Sequence, residues 1–595
     1  MSNSIPKLNL VSVNGFTGSI HHGLQKHPNG IHIIYPLGSN IVIKNEKSGE
    51  QEFLSGHTHP ITCLAVSKCG KYIASGQSTH MGFQADILLW NMDTKKIVKK
   101  FSLHKGRVEA LSFSPTSKYL ASLGGEDDNS VIVWDIEKGA AICGTVASKD
   151  SSGVTKCLAY SNGSDLHFVT GGNNTLRVWE INPVQRKCIP YDCQMGQIKR
   201  FVKCIVVGDN DENMYCGTTT GDILMVNVKS KLFKKNNPVN QKDLFHQGVN
   251  VVLQHKNILF VGAGDGMLAI MDTDKMKILN KTTLKGAVTS ISIKNDMSVM
   301  VGTSAGNIFD VSVKDLSSKL ISSCHNGKIN DLVFPKIWNA KTGQELLRIH
   351  VPNLECLCIT FNYEGSSLIT GWSDGKIRAF GPETGRIQYE INDAHTGGVT
   401  AISITNSENN GECQIVSGGA DGQVRVWRIT KHTQILETAM KEHKERMVWN
   451  VSHQVVTDPV SFGIWIGIHV RNQVLFASNF FKAVCYYPDE SQLLTTGTDR
   501  KIAYWEAFDG SLIRELELEA DAINGLDISN SGKFFVCGGS DKSVKIYRYE
   551  EGDIVYEGLG HSSEITKLRI SPDQQRIVSV GSDGAIFTWK FPEIQ

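Results

Sequence analysis

The 595-residue sequence has almost no net charge: 61 Lys+Arg against 60 Asp+Glu leave a formal +1. Without an excess of either sign there is no long-range field to gather nucleic acid or an anionic membrane, and both partner classes are set aside. Long uncharged apolar runs are also missing. The most apolar late stretch, Pro459 to Phe481, carries His469, Arg471 and Asn472 in its middle, which rules out a membrane span there. Met1 to Leu10 lacks the charged-then-apolar layout of a secretory signal. The 14 cysteines never form the double pair of a zinc site: Cys356 and Cys358, and Cys188 and Cys193, are isolated. Cys63, Cys157, Cys485 and Cys537 lie in apolar runs and read as buried, reduced thiols. No metal or cofactor site is expected. Gly262 to Gly266 looks like part of a phosphate loop, but no helix follows, so it reads as a hairpin turn. Proline is scarce at 15 residues, whereas 56 glycines fall in short, spaced clusters that mark many tight turns.

What is present is a period. Trp90, Trp134 and Trp179 stand 44 and 45 residues apart, Phe380 and Trp427 47 apart, and Trp505, Tyr547 and Trp589 each 42 apart. A repeat of about 40–45 residues with four strands per unit is the WD-repeat signature. The unit is clearest at Val399 to Ile404, Cys413 to Ser417, the turn Gly418 to Gly422, and the strand ending in Val424-Arg425-Val426-Trp427. Alternating apolar residues give strands with one buried face, and the Gly/Asp cluster supplies a turn that tolerates positive φ.

Equivalent third-strand positions fall near Lys44, Trp90, Trp134, Trp179, Val226, Met271 and Val311. A second series falls near Trp338, Phe380, Trp427, Trp465, Trp505, Tyr547 and Trp589. One blade cannot bury both faces of its sheet, and a ring holds 4–8 blades, so fourteen units predict two rings. The expected fold is all-β: two tandem seven-bladed WD40 β-propellers, residues 1–320 and 321–595. Two units of the second are irregular. Only 27 residues separate Val311 from Trp338, and the stretch near Trp465 lacks its Gly-Asp turn.

A His precedes many units, as His57, His104, His395 and His561 do. WD repeats join such a His to a strand Ser, a turn Asp and the Trp in a hydrogen-bonded tetrad. By that resemblance the best sets are His395, Ser417, Asp421, Trp427 and His561, Ser579, Asp583, Trp589. Out of context, Ser/His/Asp evokes a hydrolase triad. Recurrence at blade period favours a structural clasp, and nothing marks out a converging base, orienting group and oxyanion hole in one pocket. No catalytic residue is assigned. The lysine groups Lys95, Lys96, Lys99, Lys100 and Lys229, Lys231, Lys234, Lys235 read as solvated loop, with a patch for an acidic partner as the alternative.

More specific stretches include Tyr35-Pro36-Leu37-Gly38, Met81-Gly82-Phe83 in a lengthened loop, Gly217 to Leu224, and Gly375 to Phe380 with Pro382 to Arg386. The strongest is Gly497-Thr498-Asp499-Arg500-Lys501-Ile502-Ala503-Tyr504-Trp505-Glu506. Together they resemble the cilia- and flagella-associated protein 52 family, WD-repeat proteins of the motile axoneme, from about residue 15 to the C-terminus. The resemblance fails at 335–337 and across 446–478. It implies a microtubule inner protein in the B-tubule of doublet microtubules, in contact with the luminal face of α/β-tubulin and with other inner proteins including enkurin. The competing readings are a soluble WD-repeat adaptor that scaffolds a multiprotein complex and a propeller enzyme. The first should leave free protein after axoneme removal. The second needs a charged or metal-lined central channel.

Overall fold

A computed structural model describes residues 5–593 apart from 149–153, 238–244, 324–328, 332–337, 340–343, 346–348, 350, 363–364, 405–412, 420–423, 430–433, 441–480, 490, 498–499, 507–510 and 519–521. Every regular element among the described residues is a β-strand. The chain divides into two compact units, Gly15–Asn326 and a second made of Met1–Asn14 with Gly327–Gln595.

The first unit holds seven four-stranded antiparallel sheets whose first strands begin at Gln25, Ile61, Val108, Thr155, Val202, Val249 and Val288. The positions near Lys44, Trp90, Trp134, Trp179, Val226, Met271 and Val311 all fall on third strands. From the sheet beginning at Ile61 onward, first strands of successive sheets pack side by side; His32–Leu37 packs on Ile61–Val66, and the seventh sheet returns to the first. There Lys26 N donates to Ser292 Oγ (2.8 Å) and His22 N donates to Thr289 O (3.1 Å). In four of the second strands a glycine sets how closely the neighbouring sheet approaches. A Cβ on Gly76 would lie 2.6 Å from Val108, and one on Gly217 would lie 2.5 Å from Val249. Gly171 and Gly262 repeat the relation with Val202 and Val288. A larger residue would push two sheets apart, so part of the high glycine count is a packing requirement and not a turn requirement.

The second unit shows four complete four-stranded sheets drawn from consecutive chain, beginning at Cys356, Val399, Phe481 and Ile523. Its last sheet is assembled differently. Ile565–Ile570, Arg576–Gly581 and Ile586–Lys590 supply three strands, and Leu10–Asn14 supplies the fourth. Leu10 pairs with Trp589 and Val13 with Phe587, while Glu557 N donates to Pro6 O and Lys590 N donates to Asn9 O. This corrects the boundary that kept residues 1–320 together. The edge of Ile586–Lys590 needs a partner, and the N-terminal strand covers it, burying Leu8 and Val13.

The short unit between Val311 and Phe380 contains, among described residues, a two-stranded sheet of Trp338–Asn339 and Gln344–Glu345. Ahead of it, Ile329 N donates to Gly581 O of the last sheet (3.2 Å) and Asp331 accepts from Ile359 N of the next (3.2 Å). Residues 329–331 therefore link the last sheet to the sheet beginning at Cys356. Residues 335–337 and 446–478 lie outside the described residues.

Candidate functional site

The sequence-predicted sets sit between strands, inside the sheets. In the last sheet, Trp589 Nε1–H donates to Ser579 Oγ (2.9 Å), Ser579 Oγ meets His561 Nε2 (2.9 Å), and His561 Nδ1 lies 3.2 Å from both oxygens of Asp583. The carboxylate only accepts, so Nδ1 carries the imidazole proton and Nε2 accepts from the serine hydroxyl. Burial pushes the Asp583 carboxyl up. The hydrogen bonds from His561 and from the N–H groups of Ser562 and Ala585 outweigh it and lower the pKa. Trp589 also stacks on Phe587, with ring centres 5.7 Å apart. In the sheet beginning at Val399, Trp427 Nε1–H donates to Ser417 Oγ (3.0 Å), and His395 Nε2 meets the same oxygen (2.8 Å). Asp421 lies outside the described residues. Both serines are completely buried, so neither hydroxyl is open to a substrate. Chemically these sets are clasps that hold a loop to two strands.

Two further clasps are not picked out by the sequence pattern, although His104 and His57 stand in the right place ahead of their units. Trp134 donates to Ser122 Oγ (2.8 Å), His104 Nε2 meets that oxygen (2.7 Å), and its Nδ1 meets Asp128. The spacing of Ser122 and Asp128 around the turn is the signal that could have found it. In the second sheet, Trp90 donates to Ser75 Oγ (2.9 Å) and His57 bridges Ser75 (2.7 Å) to Gln77 (2.9 Å). An amide replaces the carboxylate, and burial pushes the His57 pKa down to about 4. Threonine takes the serine's place for Trp179, through Thr170 (2.8 Å), and for Trp505, through Thr495 (2.7 Å).

The surface offers contacts of another kind. The lysine groups are partly neutralised: Lys95 pairs with Glu52 (2.8 Å), Lys100 with Asp86 (2.9 Å) and Lys234 with Glu212 (2.8 Å). The lengthened loop at 78–83 raises Met81 and Phe83 into solvent, 79% and 67% exposed, beside a cleft of about 510 Å³ lined in part by His59, Gln77, Asp86 and Lys100. Among the described residues no three His, Cys, Asp or Glu side chains are placed to share a metal ion.

Repeated four-stranded antiparallel sheets, each fastened by a Trp to a strand hydroxyl where the Trp is present, define a WD-repeat β-propeller protein. The family described as the Echinoderm microtubule-associated protein first beta-propeller matches residues 50–334, and the WD domain, G-beta repeat family matches 386–428, 510–548 and 552–590. Cilia- and flagella-associated protein 52 of Homo sapiens is 45% identical, covering 99% of this chain and 98% of its own. The protein of that name from Chlamydomonas reinhardtii is 43% identical, covering 98% of each. WD repeat-containing protein 90 of Homo sapiens is 22% identical, over 98% of this chain and 37% of its own. The chain belongs to the cilia- and flagella-associated protein 52 family and is a cilium- and flagellum-associated WD-repeat protein. The alignment with the Homo sapiens protein runs over 614 positions, more than the 595 of this chain, so this chain lacks residues that the relative has.

Proposed function

We propose that the protein is a structural microtubule inner protein. It binds the luminal side of the B-tubule in axonemal doublet microtubules, contacts α/β-tubulin and other inner proteins including enkurin, stabilises the doublet and supports ciliary and flagellar motility. The observation that carries this reading is near-full-length similarity to cilia- and flagella-associated proteins from both Homo sapiens and Chlamydomonas reinhardtii. The microtubule-associated propeller family matched over 50–334 supports it. So does the charge balance: a luminal binder faces no acidic tubulin tails and needs no strongly basic surface.

On this reading the architecture is two seven-bladed propellers without catalytic activity. The first unit's seven sheets support it. In the second, the complete sheets, the short unit and the 40 residues at 441–480 leave room for seven. Buried clasp hydroxyls support a scaffold and not an enzyme. Isolated axonemes extracted with high salt test the function: the protein stays with the doublets after the outer arms are stripped. Release with the arms, or a free pool left after axoneme removal, refutes the luminal reading in favour of a soluble adaptor.

A further inference from the structure

We propose that Cys143 and Cys188 form an oxidisable thiol pair, a covalent modification site that can staple two neighbouring sheets of the first unit. Cys143 lies in Ala140–Val146, the fourth strand of the sheet beginning at Val108. Cys188 lies in Lys187–Asp192, the fourth strand of the sheet beginning at Thr155. No backbone ladder joins these strands, yet the two sulfurs are 2.7 Å apart. A disulfide bond of about 2.0 Å is within a small side-chain adjustment.

Both cysteines are held in place. Cys143 is paired to Val133 and Cys188 to Ile181 within their own ladders. Arg186, in the turn just before Cys188, reaches across to the other sheet: its Nε donates to Ile142 O (3.2 Å) and its Nη2 to Ala141 O (3.1 Å). The Cys188 hydrogen bond lowers the Cys143 pKa, burial opposes this, and the Arg186 guanidinium adds to the lowering. The shared hydrogen bond raises Cys188, and burial adds to that. The Arg186 guanidinium, held against the Ala141 and Ile142 carbonyls next to Cys143, favours a thiolate there, which makes Cys143 the attacking sulfur and Cys188 the resolving thiol. Cys63 and Cys204 differ: their thiols face the carbonyls of Val108 and Val249, and burial pushes each up to about 12.

The oxidant is hydrogen peroxide, a water-sized hydroperoxide. The Cys143 thiolate attacks one peroxide oxygen, the O–O bond breaks, and the departing hydroxide takes up a proton to become water, leaving a sulfenic acid. The Cys188 sulfur then attacks the sulfenic sulfur. The S–S bond forms, the S–O bond breaks, and a second water leaves with the Cys188 proton. Two thiols and one peroxide yield one disulfide and two waters. The bond closes a loop between residues 45 apart and restricts the unfolded chain, so the oxidised first unit melts higher than the reduced one.

The full-length protein, fully reduced and desalted, is treated with a few equivalents of hydrogen peroxide, blocked with N-ethylmaleimide and mapped by non-reducing peptide mass spectrometry. The expected product is one cross-linked peptide pair containing Cys143 and Cys188, two hydrogens lighter than its parts and released by dithiothreitol. Cys188→Ser abolishes the cross-link and leaves a Cys143 sulfenic acid that dimedone traps, and its melting temperature no longer rises on oxidation. Recovery of both cysteines as maleimide adducts, at a dose that oxidises the exposed Cys69, overturns the proposal. So does dimedone labelling spread evenly over other cysteines in Cys188→Ser.

Discussion

The replacement Ser579→Ala probes the clasp most directly, because one oxygen serves two partners. Ser579 is completely buried, with its Oγ 2.9 Å from Trp589 Nε1 and 2.9 Å from His561 Nε2. Alanine leaves an indole N–H and an imidazole nitrogen in a dry interior. Each orphaned group costs about 1–3 kcal/mol, and local relaxation recovers part of it, so the expected loss for the second unit is about 2–4 kcal/mol. Trp589→Phe removes the same donor while keeping an aromatic ring over Phe587, at roughly 1–3 kcal/mol. If the Trp–Ser bond is the shared element, the double variant falls short of the sum by about 1 kcal/mol. Urea denaturation of the full-length protein, followed by circular dichroism, measures all three; with two units the transitions are fitted separately. A Ser579→Ala loss within about 0.5 kcal/mol of zero, or strictly additive losses in the double variant, would refute the clasp.

Trp589→Ala is expected to cost about 3–5 kcal/mol as a large aromatic truncation, and Asp583→Ala about 1–3 kcal/mol through its unpaired partners; equal, negligible losses in the same denaturation assay would contradict this order. His57 titrates near 4 in the folded chain, against the ordinary imidazole value of 6.5 that it regains on unfolding. The unfolded state therefore takes the proton first as pH falls, and the first unit loses up to about 3 kcal/mol between pH 6.5 and 4, with no such contribution above 6.5. Thermal melts across that range measure the slope, and Gln77→Glu, which gives the imidazolium a counter-charge, should flatten it. Alanine at Lys95, Lys96, Lys99 and Lys100 together should leave axonemal retention largely intact, as seen by immunoblot of salt-washed doublets; complete release of a folded variant would mean the patch is a principal contact. Deleting residues 1–14 should destabilise the second unit and leave the first unchanged, which hydrogen exchange at Phe587 and Trp589 would show by lost protection.

The period was legible because many units carry a large aromatic residue at the same point of the third strand, where it is buried. Trp90, Trp179 and Trp589 are among the largest fully buried side chains, and even the unmarked positions Val226, Met271 and Val311 fall on third strands. The tetrads were legible where all four residue types are present, as at His561, Ser579, Asp583 and Trp589. They became illegible as the chemistry was substituted. Gln77 offers an oxygen in place of a carboxylate and Thr170 offers a hydroxyl in place of serine, and either satisfies the buried donor without matching the pattern. What a clasp requires is a partner for each buried polar atom, and several residue types meet that requirement.

The N-terminal strand was hidden for a different reason. Leu10–Asn14 has the composition of a strand, but nothing in five residues says which edge it will cover. Its destination is the outer edge of Ile586–Lys590, which pairs with Arg576–Gly581 on one side and with Leu10–Asn14 on the other. The seventh sheet of the first unit shows the contrast, since Ser318–Ser322 follows Ile308–Ser312 and completes that sheet locally. The N-terminal pairing ties the chain's first described residues to its last sheet, which has its four strands only with Leu10–Asn14 in place.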